Sequence, residues 1–343
     1  MYLKTHKTGS SSIQSCLWRY ADTHELMVAL VPPDVDTKGP FNRDMVYLDP
    51  GIVRQKLNTT YSMLLQHVIF DEEEVAFVLP AYTIYVTVLR EPVSQFKSLY
   101  SFFKPMRADC FGNKSISSLA DMMMTAISSE QISAFNCRSQ NHGRNMMSFD
   151  LGMDPTLFDS LPAVQHLIDE VDRRFDLVMI TERMDESAIL LKHLLCWSTR
   201  DVVFFDIFKQ VHSTGEDTLS EEQDAALLRL NNADRLLYQH FSAKLDQAVR
   251  DFGIEKMAQE VQSLRTERDR LWRECVESET TFENDDMSAF YIMNMRSDSP
   301  DPTLCILLTR SENLFLPTLR KQENKLKHAF LSYLGISNTS TMD

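Results

Sequence analysis

Three apolar residues, Met1-Tyr2-Leu3, run into Lys4-Thr5-His6-Lys7-Thr8-Gly9-Ser10-Ser11-Ser12, and an amphipathic helical pattern through Ile13, Leu17 and Tyr20 follows at once. This basic turn with a single glycine constrains the fold more than any other stretch. It joins the carboxyl end of a strand to a helix N-terminus, which is the geometry of an anion cradle. The first N–H groups of a helix have no intrahelical partner, and the aligned peptide dipoles add partial positive charge there. Lys7 supplies a full charge. Ser10, Ser11 and Ser12 can cap the helix or donate to oxygens of a bound phosphate or sulfate.

The turn does not have Walker A spacing, which requires Lys directly after the second of two glycines and a following Ser/Thr for magnesium. Here Lys7 stands two residues before the single Gly9. The cradle is therefore shorter and lacks the dedicated magnesium-holding hydroxyl. That suits a less highly charged terminal group than a triphosphate.

The rest of the chain supports a strand–helix alternation. Residues 27–31 read as a short strand stopped by Pro32-Pro33, and residues 61–70 (YSMLLQHVIF) as a buried strand that carries His67 near its end. Residues 81–89 (AYTIYVTVL) are β-branched and aromatic and predict the best strand of the protein. Pro92 then suits the first turn of a helix. A Met-rich helix is expected over 119–135, a strand over 176–180 and a helix over 186–197. Ser220-Glu221-Glu222-Gln223 has the form of a capping box, and 254–275 reads as a long, mostly solvated helix. Such alternation predicts a parallel α/β sheet, whose ligands bind at the carboxyl ends of strands. Three predicted strands end in polar groups, at the Lys7 turn, at His67 and at Arg90.

Composition limits the partners. The chain of 343 residues carries 35 Lys and Arg against 49 Asp and Glu, a net charge of −14. That excludes the broad basic surface of a sequence-independent nucleic-acid binder but leaves room for a local basic pocket. Six cysteines, at 16, 110, 137, 196, 275 and 305, contain no CxxC pair. They are compatible with disulfides of a secretory compartment or with buried thiols. Asn58, Asn113 and Asn338 begin glycosylation sequons. No run of 18 apolar residues and no signal-peptide pattern occurs, which predicts a chain soluble as given.

The second chemical motif is Val88-Leu89-Arg90-Glu91-Pro92-Val93-Ser94-Gln95-Phe96-Lys97-Ser98. Arg90 at a strand end offers a planar fork to phosphate oxygens, and Ser98 on the following helix adds a hydroxyl. Together, the KTHKTGSS turn and the LREP…S helix resemble sulfotransferases that use 3′-phosphoadenosine-5′-phosphosulfate (PAPS). The pattern is most similar to the galactose-3-O-sulfotransferase family. The likeness continues through Arg144–Gly152 (RNMMSFDLG), residues 181–197 and residues 236–241, and so covers roughly the first 250 residues.

The resemblance implies a P-loop-like, three-layer α/β fold with a parallel sheet flanked by helices. It implies that Lys7 contacts the phosphosulfate and stabilises the bridging oxygen as the S–O bond breaks. Lys4, Thr8, Gly9, Ser10 and Ser11 would complete the 5′-phosphosulfate cradle, with Arg90 and Ser98 on the 3′-phosphate. His67 is the first candidate for the base that takes the acceptor proton and His6 the second. Glu91, His142 and Arg144 are further candidates near the acceptor, and no metal is expected. The implied acceptor is a terminal galactose on a glycolipid or glycan, in the lumen of the Golgi.

The family pattern also includes an upstream membrane anchor and stem, whereas here the cradle begins at residue 4. The expectation is a sulfotransferase domain over 1–275 with a shortened first strand and reduced stability. A helical or irregular extension would occupy 276–343. Two other readings compete with the enzyme. A degenerate, non-catalytic glycan-binding protein would not need Lys7, and a P-loop nucleotide kinase would need the Walker A lysine and magnesium ligands.

Overall fold

The structure, a computed structural model, describes residues 1–30, 61–102, 111–128, 143–206, 219–282, 289–310, 315–322 and 324–325. Strands β1 (Tyr2–Leu3), β2 (Val28–Ala29), β3 (Met63–Leu64), β4 (Val86–Leu89) and β5 (Leu177–Ile180) are all short. β1, β4 and β5 form a parallel sheet in that order, with Tyr2 opposite Val86 and Leu89 opposite Ile180. β2 and β3 pair in parallel, and β3 runs beside β1.

Alternation along the strands sends side chains into two separate cores. Leu3, Leu89, Val178 and Ile180 face one. There they meet the helices Pro92–Phe102, Ile116–Ser128, Met146–Asp150, Leu161–Arg174, Glu221–Leu230 and Asn232–Phe252. Tyr2, Val86, Val88 and Met179 face the other, against Ser10–Thr23, Met184–Leu194, Ile254–Cys275 and Pro302–Thr309. A sheet covered on both faces explains why its strands read as continuous apolar runs rather than alternating ones. This is the expected mixed α/β architecture, a parallel sheet between two helical layers.

Several local readings hold closely. The helix Pro92–Phe102 starts at the proline, Ser220 and Gln223 make the reciprocal capping box, and the charged helix spans Ile254–Cys275. The last buries mainly Met257, Leu264 and Leu271, a seven-residue spacing that gives one narrow apolar stripe.

Three readings are corrected. Of residues 61–70, only Met63–Leu64 is strand. The backbone groups beyond it bond to other partners: Leu65 O accepts from Gln14 on a helix, and Phe70 N donates to Asp150 O. Of residues 81–89, only Val86–Leu89 is strand: Thr83 turns back onto Pro80 O, Ile84 O accepts from the Met1 amino group, and Tyr85 N donates to the Asp176 carboxylate. The stretch after 275 is not merely helical or irregular. Val276–Phe282 (β6) and Phe290–Met295 (β7) form an antiparallel hairpin, and a Cys275–Cys305 disulfide ties its base to the helix Pro302–Thr309. The Met-rich helix covers Ile116–Ser128, and residues 129–135 of that reading lie outside the described residues.

Candidate active site

The cradle is assembled from short-range hydrogen bonds. β1 ends at Leu3, and Thr5 turns its hydroxyl onto Val88 O of the neighbouring strand. Thr8 Oγ1 lies 2.8 Å from Thr5 Oγ1, and Ser10 Oγ donates to Thr5 O at 2.6 Å. The loop thereby closes over its own first carbonyl. Thr181, just past β5, donates to both Thr8 O (2.6 Å) and Leu89 O (3.0 Å), which clamps the loop to the sheet end.

Gly9 is the N-cap of the helix Ser10–Thr23, with φ +68°. That left-handed conformation favours glycine, and it turns the chain so that the first helical amides face outward. The serines are therefore not the cap. Ser10 is the first helical residue, and its hydroxyl is committed to Thr5 O. What it presents at the helix start is its backbone N–H, together with that of Ser11.

Lys7 also has positive φ, at 58°, and its ammonium lies 3.5 Å from the centroid of the Phe102 ring. Arg90, at the end of β4, reaches back to Lys7 O at 3.1 Å, while its amide donates to Met147 Sδ. Burial lowers the pKa of Arg90, opposed by Glu182 and Glu91, yet a guanidinium remains charged. Ser98 is half-buried on the helix that follows Arg90, and Lys4 is buried at the start of the loop.

Both histidines come to this place. The rings of His6 and His67 stack with centroids 3.9 Å apart and an angle of 20°. His67 Nδ1 lies 2.8 Å from Lys4 O. A carbonyl only accepts, so the neutral ring holds its proton on Nδ1 and its lone pair on Nε2. Burial lowers the pKa of His67 well below the ordinary imidazole value, and the neighbouring His6 and Lys4 add to the effect. A ring held in this way stays neutral and is a weaker base than an ordinary imidazole.

Asp150 was not singled out by its chemistry in the sequence. It is buried and accepts from the His6 amide (2.7 Å), and its other oxygen lies 2.9 Å from His6 Nδ1. Gln95, one turn into the helix after Arg90, donates to His6 O at 2.8 Å. The residue types gave no signal for either role, which depends on folding distant segments together.

Two other candidates have partners elsewhere in the fold. Arg144 is fully buried and forms a two-pronged pair with Asp159 (2.8 and 2.7 Å), so it holds the fold rather than an acceptor. Glu91 caps its own helix through the amides of Val93 and Ser94. His142 lies outside the described residues.

A cleft of about 760 Å³ opens on the far side of Thr181 and Met184, lined further by Phe204, Arg265, Arg268 and Trp272. A Cβ on Gly9 would sit 3.4 Å from both Thr181 and Met184, so the cleft adjoins the cradle. Asp185 holds Arg265 and Arg268 along its wall. Among the described residues, no helix is long and apolar enough to cross a membrane.

Comparison with known proteins fits this geometry. A family model described as galactose-3-O-sulfotransferase matches residues 1–298, and so extends into the hairpin. Human galactosylceramide sulfotransferase is 34% identical over 280 residues, covering 81% of this chain and 64% of the human protein. Mouse galactose-3-O-sulfotransferase 3 is 32% identical, covering 80% of this chain and 62% of the mouse protein. Pig galactose-3-O-sulfotransferase 2 is also 32% identical, with 81% and 68% covered. The chain thus spans less than two thirds of the length of the human and mouse relatives. On the extent of the family match, the chain belongs to the galactose-3-O-sulfotransferase family.

Proposed function

We propose that this protein transfers the sulfuryl group of PAPS to the 3-hydroxyl of a terminal galactose on a glycolipid or glycan. One observation carries the reading in a member of this family. The Lys7 cradle, Arg90 and two stacked imidazoles meet at the carboxyl ends of adjacent parallel strands. The P-loop-like part of the fold reading draws support from the strand arrangement, in which β1 lies between β3 and β4 and feeds the cradle.

Sulfuryl transfer, like phosphoryl transfer, moves charge onto the leaving and peripheral oxygens, so placement and electrostatics supply most of the catalysis. The backbone amides of Ser10 and Ser11 and the Lys7 ammonium would hold the phosphosulfate. Arg90 and Ser98 would take the 3′-phosphate, and the adjoining cleft has room for the nucleoside. Lys7 would leave the Phe102 ring to neutralise the bridging oxygen as the S–O bond breaks. The acceptor oxygen bonds to sulfur, its proton passes to an imidazole of the His6–His67 pair, and adenosine 3′,5′-bisphosphate departs with the bonding electrons. A Golgi-lumenal setting accords with the Cys275–Cys305 disulfide, since such bonds persist in oxidising compartments.

The test is transfer of radiolabelled sulfate from PAPS to galactosylceramide and to a panel of β-galactosides. The expected result is product labelled at the galactose 3-position. Absence of transfer, with binding of ATP–Mg in preference to adenosine 3′,5′-bisphosphate, would overturn the reading in favour of a kinase. Binding of galactosides with no transfer would favour a non-catalytic protein.

A further inference from the structure

The helix Met146–Asp150 has only five residues, yet the site is organised around its last one. The Asp150 carboxylate takes the His6 amide at 2.7 Å and faces His6 Nδ1 at 2.9 and 3.1 Å. Its backbone carbonyl accepts from Phe70 N at 2.9 Å, three residues past His67. One residue therefore fixes both the loop that carries His6 and the segment that carries His67. The stack of the two rings follows from that double attachment.

The helix is itself immobilised. Asp234, fully buried on the helix Asn232–Phe252, accepts from the amides of Met147 and Ser148 and from the Ser148 hydroxyl. Two residues after Asp150, Gly152 adopts φ +92°, and a Cβ there would lie 2.3 Å from Phe70 O. The approach of this segment to the His67 segment is thus as close as backbones allow.

We propose that Asp150 is a positioning residue for proton transfer: it sets His6 as the Nδ1–H tautomer and aims the Nε2 lone pair toward the acceptor hydroxyl. The proposal rests on the sulfotransferase reading above. A carboxylate oxygen accepts and does not donate, so a neutral His6 facing it carries its proton on Nδ1. Two imidazoles stacked at 3.9 Å cannot both become imidazolium cations without mutual repulsion. Among the described residues, His6 is the one of the two with a carboxylate against its ring nitrogen to balance the charge gained when the acceptor proton arrives. His67, whose Nδ1 is on a neutral carbonyl, keeps the neutral form. In the transfer step the acceptor O–H bond breaks and its proton goes to His6 Nε2. The oxygen bonds to sulfur, and the electrons of the bridging S–O bond leave with adenosine 3′,5′-bisphosphate.

The experiment combines a spectroscopic signature with kinetics. Nitrogen NMR of the ligand-free protein should show His6 as the Nδ1–H tautomer, and Asp150→Asn should redistribute the proton between the two nitrogens. Sulfate transfer by Asp150→Asn should fall about 10²-fold in kcat. The KM for PAPS should stay within a factor of two, and Asp150→Glu should recover part of the loss. A wild-type His6 protonated on Nε2 would overturn the proposal, and that spectrum decides the matter even where the variant does not fold. Unchanged kcat in a folded Asp150→Asn would overturn it as well. A wild-type protein that transfers no sulfate while showing the Nδ1–H tautomer would instead count against the functional reading and leave the positioning geometry standing.

Discussion

The loop at residues 4–11 and the segment at residues 144–152 face each other across the two histidines, and they are built by opposite means. The loop first closes on itself, with Ser10, Thr8 and Thr5 bonded to one another within five residues, and is then docked by Thr181, Gln95 and Asp150. The segment is held from outside, by Asp159, Asn231 and Asp234. The first partner is 15 residues from Arg144 along the chain, and the other two are 86 from Asn145 and Ser148. Local closure turns the first helix amides outward, beside a Lys7 ammonium that lies over the Phe102 ring. Long-range closure buries a carboxylate and an arginine to fix a few atoms in place. Substitutions in the loop should therefore cost chemistry, and substitutions in the segment should cost the fold.

The largest effect expected is on Lys7. Lys7→Ala should lower sulfate transfer about 10²- to 10³-fold, the loss associated with removing one stabilising group from a transition state. Its thermal unfolding should match wild type, because the ammonium lies over the partly exposed Phe102 ring. A large drop in unfolding temperature would break the contrast between the two regions.

Gly152→Ala probes the segment. The new Cβ would lie 2.3 Å from Phe70 O at a backbone φ of +92°. Strain of this kind should cost on the order of 3 kcal/mol in urea denaturation. Activity lost while stability stays at the wild-type level would assign this position to chemistry rather than to the fold.

The pH dependence of stability sharpens the same point. Burial, helped by the nearby Asp150, raises the Asp234 pKa from 3.8 to about 6, against the bonds from Ser148 and Met147. A carboxyl with a raised folded pKa contributes stability that is present in full below its unfolded value. That contribution is lost as pH rises through about 6. Relative to Asp234→Asn, wild type should gain about 2 kcal/mol on going from pH 7 to pH 4. A flat difference across that range in paired denaturation curves would show that Asp234 does not titrate there.

The smallest effect belongs to a feature far from both regions. Ser220→Ala removes the reciprocal cap of the helix Glu221–Leu230 and should cost about 1 kcal/mol by thermal unfolding, with kcat unchanged.

Particular residues show where sequence reading succeeds. Pro92 opened its helix and Ser220 and Gln223 closed their box because each follows a rule of local backbone chemistry, whereas Arg90 came to the Lys7 turn across 83 residues, a pairing the family resemblance had implied. The reading of 61–70 as one strand failed because an apolar run does not say which backbone partner it will meet. His67 consequently sits on an irregular segment. Arg144 lay in a segment that carried the family likeness and was a further candidate near the acceptor, but its buried guanidinium is paired with the exposed carboxylate of Asp159.

By itself the sequence determined the alternation of strands and helices, the strand–turn–helix that carries Lys7, and a basic residue, Arg90, at a second strand end. All of these depend on residues adjacent in the chain or on a basic residue at a strand end. Only the tertiary structure decided that His6 and His67 stack, that Asp150 and Asp234 hold the site from behind, and that Cys275 joins Cys305. These contacts link residues 30 to 144 positions apart. A buried carboxylate has the same sequence signature as a solvated one, and the difference arises only when packing removes the water.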